Sequence, residues 1–532
     1  MMESSCREFG RSRREWLEIL SLQILRLLGA AAVFSLLCVS SSFGQQGYVA
    51  FNVRDFGATG NGQNIDSKAI NNAINAAANA GGGTVYLPAG EYQCGSIRLK
   101  SNVALYLEQG AVIIATSENP EVNYDQAEAS VNDIYQDYGH SHWHNSLIWG
   151  DSVHDVSISG TGEIYGKGLV KGFIKDGMVA NKSISLHSCR NVIIRDITIF
   201  HGGWFGILAS GVDNLTIDDL KIDTNRDGID IDCCKNVHVS NCSINSPNDD
   251  ALCLKSSYAL GDPRATKNVT ITNCQVSGYD EGTLLDGTYK RSDNASGHRP
   301  TGRIKFGTES NGGFKNIAIS NCVFDYCGGL ALESVDGAAL EDVAISNITM
   351  RDVVNDPIFL RLGARMRGPK GTKVGELRRI KITNVIVDDA DSMHCITIAG
   401  IPGHDIHDVE LNNISVYYRG GGTGKESERI VPENEDKYPE PGMFGPAPAY
   451  GLFARHASGI ELSDVNFYLT APDSRPAFRF EDTKGIYMDD VSADRNGTNE
   501  FAVLKDVSRF NTHQVEGVAD QQIKAVKEKI IR

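Results

Sequence analysis

Along the middle of the chain, a short arrangement of polar and apolar positions recurs from residue 191 to residue 345. Each copy starts with Asn or Asp, continues as alternating aliphatic residues, and leads through a polar residue into a second short apolar run. The intervals between the first three copies are 23 and 22 residues, and later intervals are mostly longer. The copies begin at Asn191, Asn214, Asn236, Asn268, Asn316 and Asp342. Strand-length apolar runs that repeat at this period, without helical segments between them, predict a parallel β-helix.

The repeat also predicts how the coils are held together. A single coil cannot bury its apolar side chains alone, so successive coils stack and each row of Ile, Val and Leu covers the next. Equivalent positions on neighbouring coils then lie about 4.8 Å apart. We therefore expect the repeated Asn residues to form a ladder along the stack. We expect Cys242, Cys274 and Cys322, which each follow an Asn, to form an inward row of buried thiols.

Different patterns mark the two ends of the repeat and its interruptions. Residues 66–78 carry apolar residues on one helical face, which predicts a short helix that closes the N-terminal end of the stack. The fold class predicted is all-β: a single-stranded parallel β-helix over residues 47–510 with that capping helix, followed by a helical tail over residues 511–532. Residues 279–301 and 419–448 break the rhythm and are predicted to be loops on one face, where they would wall a binding groove.

The composition predicts where the protein is located and argues against several classes of partner. Residues 1–44 combine five arginines with an apolar stretch too short to span a bilayer, which predicts a signal peptide and a secreted protein, extracellular or periplasmic. The formal net charge of −16 argues against nucleic acid and membrane surfaces as partners, because both favour basic proteins. No Cys/His spacing fits a metal site, so we expect no metal and no other cofactor. We expect a monomer.

The period of the repeat also places the acidic residues. Asp227 and Asp249 are separated by 22 residues, which is one coil, so they should lie nearly one above the other. Asp250 reaches the same side only where the backbone is irregular, which a proline in the preceding turn favours. Strand alternation should turn Asp230 and Asp232 outward. The coil spacing therefore predicts a cluster of carboxylates on one face.

Glycoside hydrolysis needs such a pair of carboxyl groups. One protonated acid donates to the departing glycosidic oxygen, and an ionised partner activates a water molecule. Like charges on neighbouring coils raise one pKa and leave others ionised, which separates the two roles. Inverting enzymes hold the two groups about 6.5–9.5 Å apart, a separation that stacked coils can supply. The same residues could instead form an Asp-rich turn, and spacing alone favours neither interpretation.

Charged residues continue the outward row on later coils, up to Glu333. A sheet face this rich in charge is unsuited to packing, so it predicts a polar groove. Trp204 could stack on a sugar ring or belong to the edge of the core, and the arginines at 361, 365 and 367 could bind a uronate or simply face solvent. We expect contacts with the substrate from Asn225, Lys255, Arg303, Lys305 and Glu309.

Several motifs resemble glycoside hydrolase family 28, the polygalacturonase and rhamnogalacturonase group. Residues 53–58 and 83–90 resemble its N-terminal signature, which other pectin-active β-helices share. Asn225-Arg226-Asp227-Gly228 is similar to its Asn-Thr-Asp-Gly motif, and Asn248-Asp249-Asp250 is similar to its Asp-Asp motif. The resemblance runs from about residue 52 to about residue 490 and implies a right-handed parallel β-helix. It also implies that Asp249 is the general acid and that Asp227 and Asp250 activate the water.

Two motifs of that family are missing or displaced. Its Gly-His-Gly motif would precede Gly307, but Thr301-Gly302-Arg303 stand there, and His298 could substitute only if the preceding insertion folds back. Its Arg-Ile-Lys motif, which grips the substrate carboxylate, belongs one coil later than Arg303-Ile304-Lys305. These departures argue against ordinary endo-acting polygalacturonase activity. The long insertions favour release from chain ends, on a substrate of rhamnogalacturonan type.

The sequence thus predicts a secreted glycosidase that acts on pectic polysaccharide or oligosaccharide, of polygalacturonan or rhamnogalacturonan type, by an inverting acid/base mechanism. Two alternatives stay open. A pectate-lyase-like enzyme on the same fold would use calcium and an arginine base, and Asp230 and Asp232 could bind the cation. A non-catalytic glycan-binding β-helix would tolerate loss of the aspartates.

Overall fold

Coils of short parallel strands, stacked in chain order, account for most of the protein. Residues 50–532 form one unit by their contacts. The predicted signal peptide and His298 lie outside the described residues. Among the described residues, no helix is long and apolar enough to cross a lipid bilayer. The computed structural model describes residues 50–117, 124–170, 172–174, 177–292 and 299–532.

Parallel pairing links the strands of successive coils into three rows. The row that carries the predicted acidic residues is called the site row here. Its strands are Ile97–Arg98, Ile148–Asp151, Lys182–His187, Phe205–Ser210, Ile229–Asp232, Leu252–Ser256, Ile304–Ser310, Leu330–Ser334, Ile358–Leu362 and Ile396–Ala399.

The other two rows form the remaining sides of each coil. The second row consists of Ala50–Asn52, Gly83–Leu87, Val103–Leu107, His154–Gly160, Arg190–Arg195, Asp213–Asp218, Lys235–Ser240, Thr266–Thr272, Phe314–Asp325, Ala339–Arg351, Glu376–Ala390 and Ile406–Tyr418. The third row consists of Asn61–Ile65, Gly90–Cys94, Ala111–Ala115, Glu163–Tyr165, Thr198–Phe200, Lys221–Asp223, Ser243–Asn245 and Gln275–Ser277. From Phe314–Asp325 onward, long strands continue both the second and the third row. The strands of the last coils are Leu452–Leu469, Phe478–Ala493 and Ala502–His513, and Leu452–Leu469 also continues the site row.

Aliphatic side chains fill the inside of the coils in register. Ile207, Ile229, Leu252 and Ile304 follow one another along the site row and are fully buried. Each such side chain contributes roughly 1.5–3 kcal/mol when it leaves water. Because each coil covers the next, these contributions accumulate along the whole stack. The predicted parallel β-helix is confirmed.

A ladder of asparagine side chains runs along one corner of the coils. In this ladder each side-chain amide donates to the side-chain oxygen of the asparagine one coil earlier, at 2.9–3.1 Å. The ladder begins at Asn191 and continues through Asn214, Asn236, Asn268 and Asn316. All five residues have a left-handed backbone, with φ between 54° and 58°. Asn tolerates this conformation better than other residues that carry a Cβ. The predicted ladder is therefore confirmed, and the corner itself selects the residue.

The described cysteines are buried and form no disulfide. Cys242, Cys274 and Cys322 each follow an asparagine and lie inside the coils, where each thiol donates to a backbone oxygen two residues earlier. The predicted inward row of thiols is confirmed.

The N-terminal helix is found where the sequence places it. It spans Ser67–Asn79, and Ile70, Ala73, Ile74 and Ala77 are buried in the core. Asp66 does not cap the helix with its side chain. Its carboxylate instead accepts backbone N–H groups of Thr59 at 2.7 Å and Gly60 at 3.0 Å, which fastens the preceding loop.

The prediction of a helical tail over residues 511–532 is wrong. Residues 511–513 end the last parallel strand, and Gln521–Ile531 is a strand that pairs antiparallel with Ala502–His513. The spacing of Ile523, Val526 and Ile530 suits a helix in isolation. The last coil, however, would otherwise expose a row of unpaired backbone groups, and pairing satisfies them. Tertiary context therefore overrides the local pattern.

The second insertion covers part of the site row. It contains the helix Gly424–Glu428 and the 3₁₀ helix Pro441–Phe444. Val431 and Phe444 pack in one apolar cluster with Phe359 and Phe453 of the site row. The remaining short elements are the 3₁₀ helices Val53–Phe56, Asp133–Tyr135 and Tyr138–Ser141, and an antiparallel pair of strands, Phe173–Ile174 and Gly177–Met178.

Candidate active site

Three aspartates from two neighbouring coils meet at the start of the site row. Asp227 precedes the strand Ile229–Asp232, and Asp249 and Asp250 precede the paired strand Leu252–Ser256. One carboxylate oxygen from each residue lies within 4.8 Å of the others. The cluster predicted from the 22-residue spacing is therefore present.

The backbone between the two coils allows this close approach. A Cβ atom built on Gly228 would lie 2.5 Å from the carbonyl oxygen of Ala251, so any larger residue would push the coils apart. The side chain of Asp249 accepts the backbone N–H of the next residue, Asp250, at 3.1 Å, and residues 247–249 form a bend. As expected, an irregular backbone lets two adjacent aspartates face the same side.

Asp250 is held by two basic side chains that favour its ionised form. Its Oδ1 accepts the Nε hydrogen of Arg303 at 2.7 Å, and the Nζ of Lys305 lies 3.4 Å from its Oδ2. Burial alone would raise the pKa of Asp250, but Lys305 and Arg303 outweigh burial and lower it. A carboxylate held this way is available to accept a proton from water.

Asp227 has the opposite character. Its side chain is 2% exposed, and its Oδ1 has no hydrogen-bond partner among the described residues. Burial raises the pKa of Asp227 well above the usual value, and the charges of Asp249 and Asp230 raise it further. The protonated form is favoured, which opposes the role of water-activating base that the family resemblance implied for Asp227.

Asp249 faces solvent and pairs with an arginine. Its side chain is 26% exposed, and its Oδ2 accepts a hydrogen bond from Nη2 of Arg226 at 2.6 Å. The Arg226 guanidinium lies over the ring of Trp204, 3.7 Å from its centroid. Trp204 is therefore covered by an arginine rather than free for a sugar. Sequence reasoning missed Arg226, although it stands where the resembling motif has Thr.

The prediction of an open polar groove needs correction. Lys255, Arg303, Lys305 and Glu309 were expected to contact the substrate, but each is buried and bound to charges of the protein itself. Asn225 is half-buried in the turn before Asp227. Arg303 and Lys305 are contacted by Glu440 and Tyr438 of the second insertion, whose path could not be predicted from the sequence.

The partners of these buried charges are specific. Nζ of Lys255 lies 3.5 Å from both Asp230 and Glu309. Arg303 donates from Nη1 to Glu440 at 2.9 Å, and Glu440 belongs to the second insertion. Nζ of Lys305 lies 3.6 Å from Glu333 and 3.3 Å from the Tyr438 hydroxyl. The charged row therefore forms an internal network of ion pairs and hydrogen bonds, and its members Lys305 and Arg303 lower the pKa of Asp250.

The predicted arginine cluster is divided among different tasks. Arg361 is buried and donates to backbone oxygens of Gly400 and Glu433, both at 2.9 Å. Arg365 binds Asp336, and Arg367 lies 3.5 Å from Asp137. The first two hold loops together, and Arg367 alone of the three retains substantial exposure.

His140 is a buried site residue that the sequence did not reveal. It lies in the 3₁₀ helix Tyr138–Ser141, with its Nε2 3.7 Å from Asp230 and its Nδ1 3.5 Å from Asp232. Burial and Lys255 disfavour the charged ring, but the Asp232 carboxylate outweighs them and raises the pKa of His140. The available signal was a run of histidines and aromatic residues over 138–144, which no spacing rule connected to the aspartates.

The spacing of the cluster is shorter than expected for a pair that flanks a water molecule. Inverting enzymes keep their carboxyl groups about 6.5–9.5 Å apart, whereas here the nearest oxygens lie within 4.8 Å. Any water held by Asp250 must therefore sit beside the cluster rather than between its members.

Two family models match the chain. One, described as rhamnogalacturonase A/epimerase, pectate lyase-like, matches residues 50–199, and one described as a right-handed β-helix region matches residues 174–294. A probable polygalacturonase from Vitis vinifera is 27% identical over 240 residues, which cover 41% of this chain and 47% of that protein. The chain thus spans less than half the length of this curated relative.

Solved structures agree on the fold. A family 28 exopolygalacturonase from Yersinia enterocolitica is 19% identical, with a TM-score of 0.59 over 82% of this chain and 78% of that one. PfbA, a surface adhesin of Streptococcus pneumoniae, is 15% identical, with a TM-score of 0.50 over 91% of this chain and 98% of that one. The right-handed β-helix and the likeness to the polygalacturonase group are confirmed. An enzyme and an adhesin share this fold, so activity must be argued from the site.

Proposed function

We propose that this protein is a secreted glycoside hydrolase that cleaves pectic polysaccharide or oligosaccharide of polygalacturonan or rhamnogalacturonan type. The observation that carries the proposal is the meeting of Asp227, Asp249 and Asp250, each in a different electrostatic environment. Separated proton affinities within one carboxylate cluster are what acid/base cleavage of a glycosidic bond needs. The likeness to polygalacturonases supports the substrate class, and the leader pattern in residues 1–44 supports secretion.

Asp249 is the proposed proton donor. It is the member of the cluster open to solvent, so a glycosidic oxygen that arrives from outside meets it first. Asp227 holds a proton in the buried part of the cluster, so it adds no further negative charge beside Asp250.

Asp250 is the proposed base. Arg303 and Lys305 keep it ionised, and its side chain is 2% exposed. A water molecule is small enough to contact such a carboxylate, but the anomeric carbon of a sugar ring is not. Water, rather than Asp250 itself, is therefore the attacking group, and a single displacement inverts the anomeric configuration.

Cleavage at chain ends is the proposed mode of action. The second insertion packs over the later coils of the site row, and the segment that carries His140 packs against Asp230 and Asp232. A site bounded on two sides accommodates the end of a polysaccharide more readily than its middle.

Replacing Asp249 tests the hydrolase proposal directly. We expect Asp249→Asn to lower hydrolysis of pectic oligosaccharides by roughly 10²–10⁴-fold, because the proton donor is lost. Reducing-end assays on a panel of these sugars measure the rate, and proton NMR of the first product shows whether its anomeric configuration is inverted. The matched control is Asp213→Asn, an aspartate on the second row outside the cluster. Unchanged turnover in Asp249→Asn would rule the proposal out.

The geometry also favours one second candidate, calcium-dependent β-elimination. Three carboxylate oxygens within 4.8 Å could hold a divalent cation, and Arg226 lies beside them. Such a lyase would be inactivated by a chelator and would release an unsaturated product that absorbs ultraviolet light. Chelator-resistant activity with a saturated product would exclude it.

A further inference from the structure

Six basic side chains lie near the acidic cluster or near the neighbouring Glu309, and they differ in how accessible they are. Four of them are at most 8% exposed and are engaged by carboxylates of the protein: Lys255, Arg303, Lys305 and Arg365. Arg226 and Arg367 keep 23% and 31% of their side-chain surface. A negatively charged ligand that approaches from solvent can therefore reach only these last two of the six.

Of these two, Arg226 is the one that touches the cluster. Its Nη2 lies 2.6 Å from Asp249 and 3.7 Å from Asp227. Arg367 lies 3.7 Å from Glu309 and 3.5 Å from Asp137, neither of which is part of the cluster. A substrate bound for proton transfer from Asp249 would thus lie next to Arg226.

The guanidinium of Arg226 is held ready for a planar anion. Its face rests on Trp204, 3.7 Å from the ring centroid, which fixes the plane of the group. Within the described residues it donates one side-chain hydrogen bond, to Asp249. An arginine has five N–H donors in a fork that matches a carboxylate, so donors remain for a second partner.

We infer that Arg226 binds the carboxylate of a uronate unit in the substrate and exchanges Asp249 for it. This inference rests on the proposed function. Once the sugar carboxylate takes the guanidinium, Asp249 loses its hydrogen bond from Arg226 and is free to turn toward the departing glycosidic oxygen. The substrate's own charge then serves both to bind the sugar and to prepare the donor. Arg226 is thus the specificity-determining residue, a task that the buried Arg303 and Lys305 are not placed to perform.

Binding measurements test this without depending on catalysis. Calorimetry compares a trimer of galacturonic acid with its carboxyl-reduced counterpart. We expect the intact protein to prefer the acidic trimer, and Arg226→Gln to bind that trimer about 10–100-fold more weakly. Affinity for the reduced trimer should stay within about twofold. Equal affinity of Arg226→Gln and the intact protein for the acidic trimer would overturn the inference.

Two further variants control the test. Arg226→Lys keeps the charge but lacks the fork, so we expect an intermediate affinity, and it carries the test if the Gln variant does not fold. Arg264→Gln removes an arginine with 25% exposure that also pairs with an aspartate, Asp213, outside the cluster. Affinity in this variant should equal that of the intact protein, and an equal loss in it would overturn the assignment to Arg226.

The exchange itself has a separate signature. Asp249→Asn removes the internal competitor of the substrate carboxylate, so we expect its affinity for the acidic trimer to rise about threefold or more. Weaker or unchanged binding would overturn the exchange.

Turnover on the same sugars keeps the two proposals distinguishable. If binding depends on Arg226 but no bond is cleaved, the uronate-binding inference holds and the hydrolase proposal is wrong. If the sugars are cleaved but their binding does not depend on Arg226, the hydrolase proposal holds and the inference about Arg226 is wrong.

Discussion

The early and late coils of the site row use one backbone framework for different purposes. On the early coils, outward positions carry Asp230 and then Lys305, and these lie in a network of buried charges. Continuing along the same line, the late coils carry Ala331, Phe359 and Phe453, which pack under an apolar cover. Along this line of outward positions, the early coils therefore form a charged half of the site row and the late coils an apolar half.

The difference shows what buried charge demands of a fold. An apolar outward residue needs only a shape-matched cover, whereas each buried charge needs a partner or becomes costly. On the early coils the pairing is incomplete: oxygens of Asp227 and Asp230 lack hydrogen-bond partners within the described residues. At Asp227 and Asp230 the incomplete pairing accompanies raised pKa values.

The largest expected effect comes from replacing Asp250, the proposed catalytic base, in the charged half of the site row. We expect Asp250→Asn to lower kcat/KM on pectic oligosaccharides by roughly 10²–10⁴-fold and to destabilise the fold, because Arg303 and Lys305 lose a buried partner. Reducing-sugar kinetics and urea unfolding measure the two effects. The matched variant Glu440→Gln removes another partner of Arg303, so stability should fall while kcat stays within about threefold. Equal kcat losses in both variants would erase the distinction between base and scaffold.

The next effect sharpens the comparison from the apolar half. Phe444 is 5% exposed and packs near Phe359. We expect Phe444→Ala to lower the free energy of unfolding by about 3 kcal/mol, with little change in kcat for the folded fraction. Ile430 in the same insertion is 91% exposed, so Ile430→Ala should change stability by less than about 0.5 kcal/mol. If the second insertion does not contribute to stability, both variants should have the same melting temperature.

The smallest effect concerns pH. Burial raises the pKa of Asp230 to about 6 and that of Asp227 well above its usual value, against about 3.9 for an unfolded Asp. Between these limits the folded state binds more protons than the unfolded state, so these two groups make stability fall as pH rises. We expect Asp227→Asn to be more stable than the parent at pH 8, on the order of 1–2 kcal/mol, with the difference vanishing near pH 4.

Chemical unfolding at several pH values measures that difference. Asp196→Asn replaces an aspartate whose side chain is 40% exposed and should show no such trend. A constant difference across pH 4–8 would mean that the buried position, not proton binding, causes any gain.

Sequence reasoning succeeded where neighbours in space are separated by one period. The 22-residue interval placed Asp227 against Asp249, and the recurring Asn and Cys positions gave the ladders, because stacking converts sequence spacing into distance. It failed for contacts that no period controls. Arg303 meets Glu440 from 137 residues away, and His140 meets Asp230 from a loop without repeats.

These failures share a physical cause. The path of an insertion depends on its own packing, which local patterns do not encode, so the row of charges could not be distinguished from an open groove. The tail was mispredicted for a related reason: an unpaired strand edge outside its own segment decided its conformation.

That tail strand has a consequence for the molecule in a crowded solution. A parallel solenoid can in principle grow by docking the edge of one copy on the edge of the next, as fibrils do. Gln521–Ile531 runs against the direction of every coil beneath it and carries Lys524, Lys527 and Lys529. Because of its reversed direction and its lysine side chains, this strand is a poor template for pairing with the edge of another copy.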